Sequence, residues 1–310
     1  MAKRTPTTSS SWLGRHLRKI IQIGWGVASN GYLRGFLPGG PAIYTGPLKR
    51  FCVPGMNCYS CPGALGACPI GALQATLTAR HRKFPAYVLG YLLAIGLICG
   101  RFICGWLCVF GLVQELLYKI PTPKLRIPEK IDRPLRYLKY AVLLLLVIAL
   151  PLLYRTDYGA GEPFFCKYLC PVGTLQGGVP LVLLNRSLRA TLGWLFRWKM
   201  LVLILCLLSC VFIYRPFCKY LCPLGAFYSL FQKLSIVRIT VNTDACIGCG
   251  ACARTCGMNV DPHKTPNAAE CIRCGECIRT CPTKALQFAA SAKDFRLRSQ
   301  KETDHEKTSA

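Results

Sequence analysis

Histidine is nearly absent from this chain, and acid is absent from its first third. Only four histidines occur in 310 residues (His16, His81, His263 and His305), and none falls inside an apolar run. A haem held between membrane helices needs such histidines or an equivalent axial ligand, so a b-type cytochrome is a poor fit. Cys-x2-Cys-His does not occur, which removes covalently attached haem. Neither a dinucleotide-binding glycine motif nor an obvious flavinylation site is present. No Asp or Glu precedes Glu115, and charged residues make up 17% of the chain, against a soluble norm near ~25%. The formal net charge is +26, from 39 basic and 13 acidic residues. Those basic residues flank apolar runs instead of gathering on one water-facing side. They read as orientation signals and headgroup contacts, and nucleic acid is not an expected partner.

Apolar residues make up 52% of the chain, and mean hydropathy is positive, so membrane lipid is an expected neighbour. Three segments suit a bilayer: Phe84 to Ile103, Leu138 to Tyr154, and Met200 to Tyr214. The last two fall short of the ~20 residues usually needed, and snorkelling Lys199 and Arg215 with Trp194 and Trp198 make up the difference. A fourth candidate, Ile20 to Leu37, is diluted by Gln22, Asn30 and Arg34; its bland alternative is an interfacial amphipathic helix. The basic stretch from Lys119 to Lys139 and the basic N-terminal tail belong on the cytoplasmic side. The expectation is therefore a multi-pass protein of the cytoplasmic (inner) membrane, with about four transmembrane helices and both termini cytoplasmic. Residues 1–235 form the membrane domain and 236–290 a second domain. The polar tail, 291–310, has no apolar period and is expected to be disordered.

Cysteine is the surplus residue, with 21 in the chain. A secreted disulfide scaffold would be short and evenly paired, unlike this long apolar chain. The clearest pattern is Cys246-x2-Cys249-x2-Cys252-x3-Cys256, followed by Cys271-x2-Cys274-x2-Cys277-x3-Cys281-Pro282. Short Cys-x2-Cys steps wrap a chain around one cubane, and the fourth cysteine of each run reaches the other cluster. Cys246, Cys249, Cys252 and Cys281 should hold one 4Fe–4S cluster. Cys271, Cys274, Cys277 and Cys256 should hold the other. Paired zinc ribbons are the alternative, and they space their halves differently.

A local design also recurs three times. Phe102-Ile-Cys104-Gly-Trp-Leu-Cys108-Val-Phe-Gly111 resembles Phe165-Cys166-Lys-Tyr-Leu-Cys170-Pro-Val-Gly173 and Phe217-Cys218-Lys-Tyr-Leu-Cys222-Pro-Leu-Gly225. Each Cys-x3-Cys offers half of a four-thiolate site. On the expected topology Cys104, Cys108, Cys218 and Cys222 meet at the cytoplasmic side and complete a third site. Cys166 and Cys170 fall on the outer side with Cys58 and Cys61, leaving Cys68 as the substitute and Cys52 as the spare. Disulfides among the outer cysteines are the alternative there. Cys99, Cys206 and Cys210 read as packing residues, although Cys206 and Cys210 share one helix face.

Cys99-Gly-Arg-Phe-Ile-Cys104-Gly-Trp-Leu-Cys108, the repeated Cys-x3-Cys-Pro and the C-terminal double run together resemble the NapH-type membrane polyferredoxins. The resemblance covers residues 84–290, and NosR-type and CcoG-type proteins share the framework. It departs at Val109, where Pro is expected, and in the extra outer cysteines. It implies an α-helical membrane protein with a C-terminal α+β bacterial-type two-cluster ferredoxin domain. The implied cofactors are 4Fe–4S clusters, two from the ferredoxin run and four in all. The implied function is passage of single electrons between a quinol or cytoplasmic donor and a redox partner protein, a reductase or cytochrome. A redox-sensing or cofactor-maturation role is the alternative.

Overall fold

The computed structural model describes residues 12–37, 43–79, 84–154, 160–190 and 192–289. The expected tail at 291–310 and the first eleven residues lie outside them. Helix α1 spans Trp12–Ser29, α2 Pro69–Thr78, α3 Ala86–Cys99, α4 Phe102–Trp106 and α5 Val109–Tyr118. Helices α6 (Glu129–Leu153), α7 (Pro171–Leu184) and α8 (Trp194–Phe212) follow. Two short helices, α9 (Pro216–Tyr220) and α10 (Pro223–Leu230), lead into the C-terminal part.

α6, with 25 residues, and α8, with 19, are long and apolar enough to cross a bilayer. Only 28% and 11% of their most apolar windows are buried within the protein, so those side chains face outward. α3 is apolar but only 14 residues long. It stops at Gly100, whose φ of +53° suits a residue without a Cβ. The first expected crossing differs most. Ile20 to Leu37 is not one helix, because α1 starts earlier and ends at Ser29. Ser29 Oγ donates back to the Trp25 carbonyl at 2.7 Å and Asn30 Nδ2 to Gly26 at 3.1 Å. Such side-chain bonds compete with the helical ladder. Tyr32 N–H then donates to the Gly63 carbonyl, tying the chain into the loop that carries Cys58 and Cys61.

Four helices, α1, α3, α6 and α8, run between two ends of the molecule. At the near end Arg18 of α1 pairs with Glu115, Arg273 donates to the Cys99 carbonyl, and Leu125 N–H reaches Phe212. At the far end Tyr87 meets Cys52, Gly161 N–H reaches Thr78, and Trp198 donates to the Tyr168 carbonyl.

The C-terminal part is small and mixed. Strand β1 (Arg238–Val241) pairs antiparallel with β2 (Leu286–Ala289), with Ile239 opposite Phe288. Between them lie α11 (Ala251–Thr255) and α12 (Glu276–Thr280), each opened by a glycine in the left-handed region, Gly250 and Gly275. This part sits against the near end of the helices. Trp106 Nε1 donates to the Arg273 carbonyl at 2.9 Å, and Gln232 Nε2 to the Cys271 carbonyl at 2.8 Å. Buried Glu270 receives both Arg101, at 2.9 Å, and Lys139, at 2.6 Å.

Candidate cluster sites

The three Cys-x3-Cys repeats share one backbone. In each, a single helical turn carries the first cysteine, and the N–H of the second reaches back five residues. The bonds are Cys108 to Ile103, Cys170 to Phe165 and Cys222 to Phe217. The second cysteine is extended and caps the next helix, with Pro at the first helical position in two of the three. Proline forces its predecessor out of the helical region and suits a helix start. The cap position turns the sulfur toward the helix N–H groups: Gly173 N–H donates to Cys170 Sγ and Gly225 N–H to Cys222 Sγ, both at 3.3 Å. Val109 does the job of Pro after Cys108 without changing the turn. Cys68-Pro69 opens α2 in the same manner.

Seventeen cysteines border four cavities. Cys246, Cys249, Cys252 and Cys281 line the first, site A. Cys256, Cys271, Cys274 and Cys277 line the second, site B, part of a cavity of about 510 Å³. Both sets are the crossed ones expected from spacing. Cys104, Cys108, Cys218 and Cys222 line the third, site C, together with Pro54, Gly55 and Met56. Cys58, Cys68, Cys166 and Cys170 line the fourth, site D, in a cavity of about 800 Å³ that Cys52 also borders. Here the arrangement departs from expectation. Cys61 lines none of these cavities and sits instead by Lys49, with the N–H groups of Gly63 and Ala64 at its sulfur. The Cys58–Cys61 step closes a tight turn, Cys61 N–H to the Cys58 carbonyl at 3.1 Å. Cys68 takes the place. Cys99, Cys206 and Cys210 line none of the four; Cys206 and Cys210 are buried in α8.

The donor sets fit clusters better than single ions. A zinc site closes four ligands at ~2.3 Å from one point. Here four or more thiols border each cavity, the all-sulfur donor set that a cubane takes. In the C-terminal part, burial pushes the Cys271 thiol to about 11 and the Cys277 thiol to about 12. Burial also raises Cys281, but hydrogen bonds from the Thr283 hydroxyl and the N–H groups of Ala285, Thr283 and Leu286 outweigh it, and the net shift is downward. Thiols held up in this way give up protons when iron binds.

The sites stand in a row. A and B exchange ligands through Cys256 and Cys281. Between B and C, Gly105 lies directly against the backbone of Ile272 and Cys274. Between C and D, Met56 Sδ is 3.4 Å from Cys222 Sγ, and Met56 is two residues from Cys58. Spacing of cysteines could not reveal Met56. Nor did it reveal Gln114, whose Nε2 donates to Cys218 Sγ at 3.0 Å, or the buried Arg101 and Arg215 beside site C.

Comparison with known proteins points the same way. A family described as 4Fe-4S binding domain matches residues 66–87, 88–128, 140–189 and 194–241. A second family of that description matches residues 239–260 and 265–287. The methylamine utilization ferredoxin-type protein MauN of Paracoccus denitrificans is 32% identical over 222 residues, covering 69% of this chain and 70% of MauN. An uncharacterized protein of Methanocaldococcus jannaschii is 32% identical over 179 residues, 54% of this chain, which spans 56% of that relative's length. The regulatory protein NosR of Pseudomonas aeruginosa is 30% identical over 169 residues, 52% of this chain and 21% of NosR. No solved structure matches.

Proposed function

From a chain that belongs to the family of ferredoxin-type electron-transfer proteins built on 4Fe–4S binding domains, we propose a multi-pass inner-membrane protein that carries single electrons between the two faces of the bilayer. The observation that carries the reading is the row of sites A to D, closed by the contact of Met56 with Cys222. Clusters at both ends of the helices serve little purpose unless electrons cross.

In this reading residues 1–235 form the membrane domain and 236–290 the ferredoxin domain. Cys246, Cys249, Cys252 and Cys281 hold cluster A; Cys256, Cys271, Cys274 and Cys277 hold cluster B. Cys104, Cys108, Cys218 and Cys222 hold cluster C; Cys58, Cys68, Cys166 and Cys170 hold cluster D. Bound clusters supply one-electron exchange, with potentials set by hydrogen bonds to sulfur, burial and nearby charge. The protein supplies those settings. N–H groups of Gly173 and Gly225 face thiolates, and Phe110, Phe165, Phe217 and Leu224 keep water from sites C and D.

α1 and α3 cross with α6 and α8, since all four run between the same two ends. The near end, rich in Lys and Arg from Lys119 to Lys139, is cytoplasmic. The donor is a quinol in the bilayer or a soluble cytoplasmic reductant, and the acceptor is a redox protein on the opposite face. Iron analysis of the full chain should give about 16 atoms, four cubanes of four. Cys166→Ser with Cys170→Ser should remove about four of them and spare the ferredoxin signals. Unchanged iron in that double variant would leave a protein that works from the cytoplasmic face alone.

A further inference from the structure

Site C differs from its neighbours in what surrounds it. Its two half-sites follow one formula, Arg101-x2-Cys104-x3-Cys108-x2-Gly111 and Arg215-x2-Cys218-x3-Cys222-x2-Gly225. The third repeat, at site D, has Pro163 where the arginine would stand. The arginines are exchanged between the halves. Arg101 Nη2 donates to the Cys218 carbonyl at 2.8 Å, and Arg215 Nη1 donates to the Cys104 carbonyl at 2.5 Å. Each also occupies the space left by the other half's glycine: a Cβ on Gly111 would lie 3.0 Å from Arg215, and one on Gly225 3.4 Å from Arg101. The repeated glycine thus has a reason that spacing alone did not supply.

Both guanidinium groups are fully buried. Taking such a charge out of water is expensive unless it is paired and hydrogen-bonded. The pairing within the protein is incomplete. Four cations, Arg18, Arg101, Lys139 and Arg215, face three carboxylates, Glu115, Glu270 and, 4.0 Å from Arg18, Glu276. Among the described residues the Nε atoms of Arg101 and Arg215 have no hydrogen-bond partner. Arg101 is also within hydrogen-bond reach of the Cys104 thiol, and Gln114 donates to Cys218 Sγ. The surplus of positive charge and N–H groups is turned toward the four thiols. A cubane with four thiolates is anionic and gains one more negative charge on reduction.

We propose that the exchanged arginines, with Gln114, make site C the position of highest reduction potential in the chain, where an electron entering from either neighbour settles first. This rests on the reading that site C holds a 4Fe–4S cluster. Reduction there adds one electron and breaks or forms no bond. The added charge is held by two guanidinium groups that stay protonated throughout. A buried cation or N–H close to the sulfurs stabilises the reduced form more than the oxidised one, which raises the potential. Site B has one buried arginine, Arg273, beside Cys271, and its guanidinium donates to the Cys99 and Gln232 carbonyls and the Ser235 hydroxyl; sites A and D carry less. Site A lies near the surface, with Cys249 exposed, and at site D the nearby Lys199 spends its ammonium on the Cys166 carbonyl.

The test uses the full-length protein in detergent, reconstituted without oxygen and titrated with dithionite and mediators under EPR, wild type beside Gln114→Met. The first signal to appear in the wild type should be the one that moves in the variant. Its reduced-to-oxidised ratio at fixed potential should fall about fivefold, as for one lost hydrogen bond, while the other signals hold. If Gln114→Met instead loses about four irons, one cubane, the signal that vanishes must be the first one reduced in the wild type. The proposal is overturned if the signal that moves or vanishes titrates after any other, or if none changes. Wild-type iron near about eight atoms would overturn the assignment of site C itself, a separate failure from a wrong order of reduction.

Discussion

A Cβ added to Gly105 would stand 2.3 Å from the carbonyl oxygen of Ile272. That oxygen belongs to a backbone pinned by the Trp106 and Gln232 hydrogen bonds on either side, so it cannot give. Gly105→Ala should therefore loosen the ferredoxin domain from the helices by roughly 1–3 kcal/mol. Limited proteolysis after Ile236 should release that domain faster, with its own EPR signals intact. Cys281→Ser tests the other residue-scale claim. It should damage the cluster held by Cys246, Cys249 and Cys252 and leave that of Cys271, Cys274 and Cys277; loss confined to the latter would sink the crossed assignment. A double Cys-x2-Cys run admits few ways round two cubanes, and the two cavities are bordered by the same grouping of cysteines. Cys61 was not legible. Nearness in sequence to Cys58 suggested a shared site, whereas the cavity beside Cys58 is bordered by Cys68, at the start of α2.

At the scale of elements, periodicity and hydropathy located the helices but not their ends. The α6 helix begins at Glu129, ahead of the expected start at Leu138, and its polar residues find buried partners: Lys219 and Tyr220 hydrogen-bond to Asp132, and Glu270 receives Lys139. Conversely α1 stops at Ser29, where side-chain capping and the Gly63 carbonyl outcompete a further turn. The Arg101–Glu270–Lys139 cluster ties the end of α3, the length of α6 and the ferredoxin domain into one unit. Glu270→Ala leaves two buried cations short of a carboxylate, and breaking such a pair typically costs ~3–5 kcal/mol. A urea titration followed by tryptophan fluorescence should show the midpoint fall by that measure; an unchanged midpoint would mean the cluster is solvated and adds little.

For the molecule as a whole, the expected topology places the ferredoxin domain and the basic stretch from Lys119 to Lys139 on one side and the site D loops on the other. A reporter fused after Gly161 should give an outside signal and one at Ala310 an inside signal. An inside signal after Gly161 would leave site D on the cytoplasmic face and remove the case for crossing. The same arrangement bears on how the protein is made. Site C is walled on one side by Pro54, Gly55 and Met56 from the far loop, and the turn that carries Cys104 is backed at Gly105 by Ile272. That wall is translated early, and Cys218 and Cys222 follow much later. Ile272 is translated last and packs behind the turn that carries Cys104. Iron and sulfide must therefore arrive within an interval of biosynthesis, after Cys222 has emerged and before the ferredoxin domain docks. A chain that folds too quickly would shut its own central compartment empty.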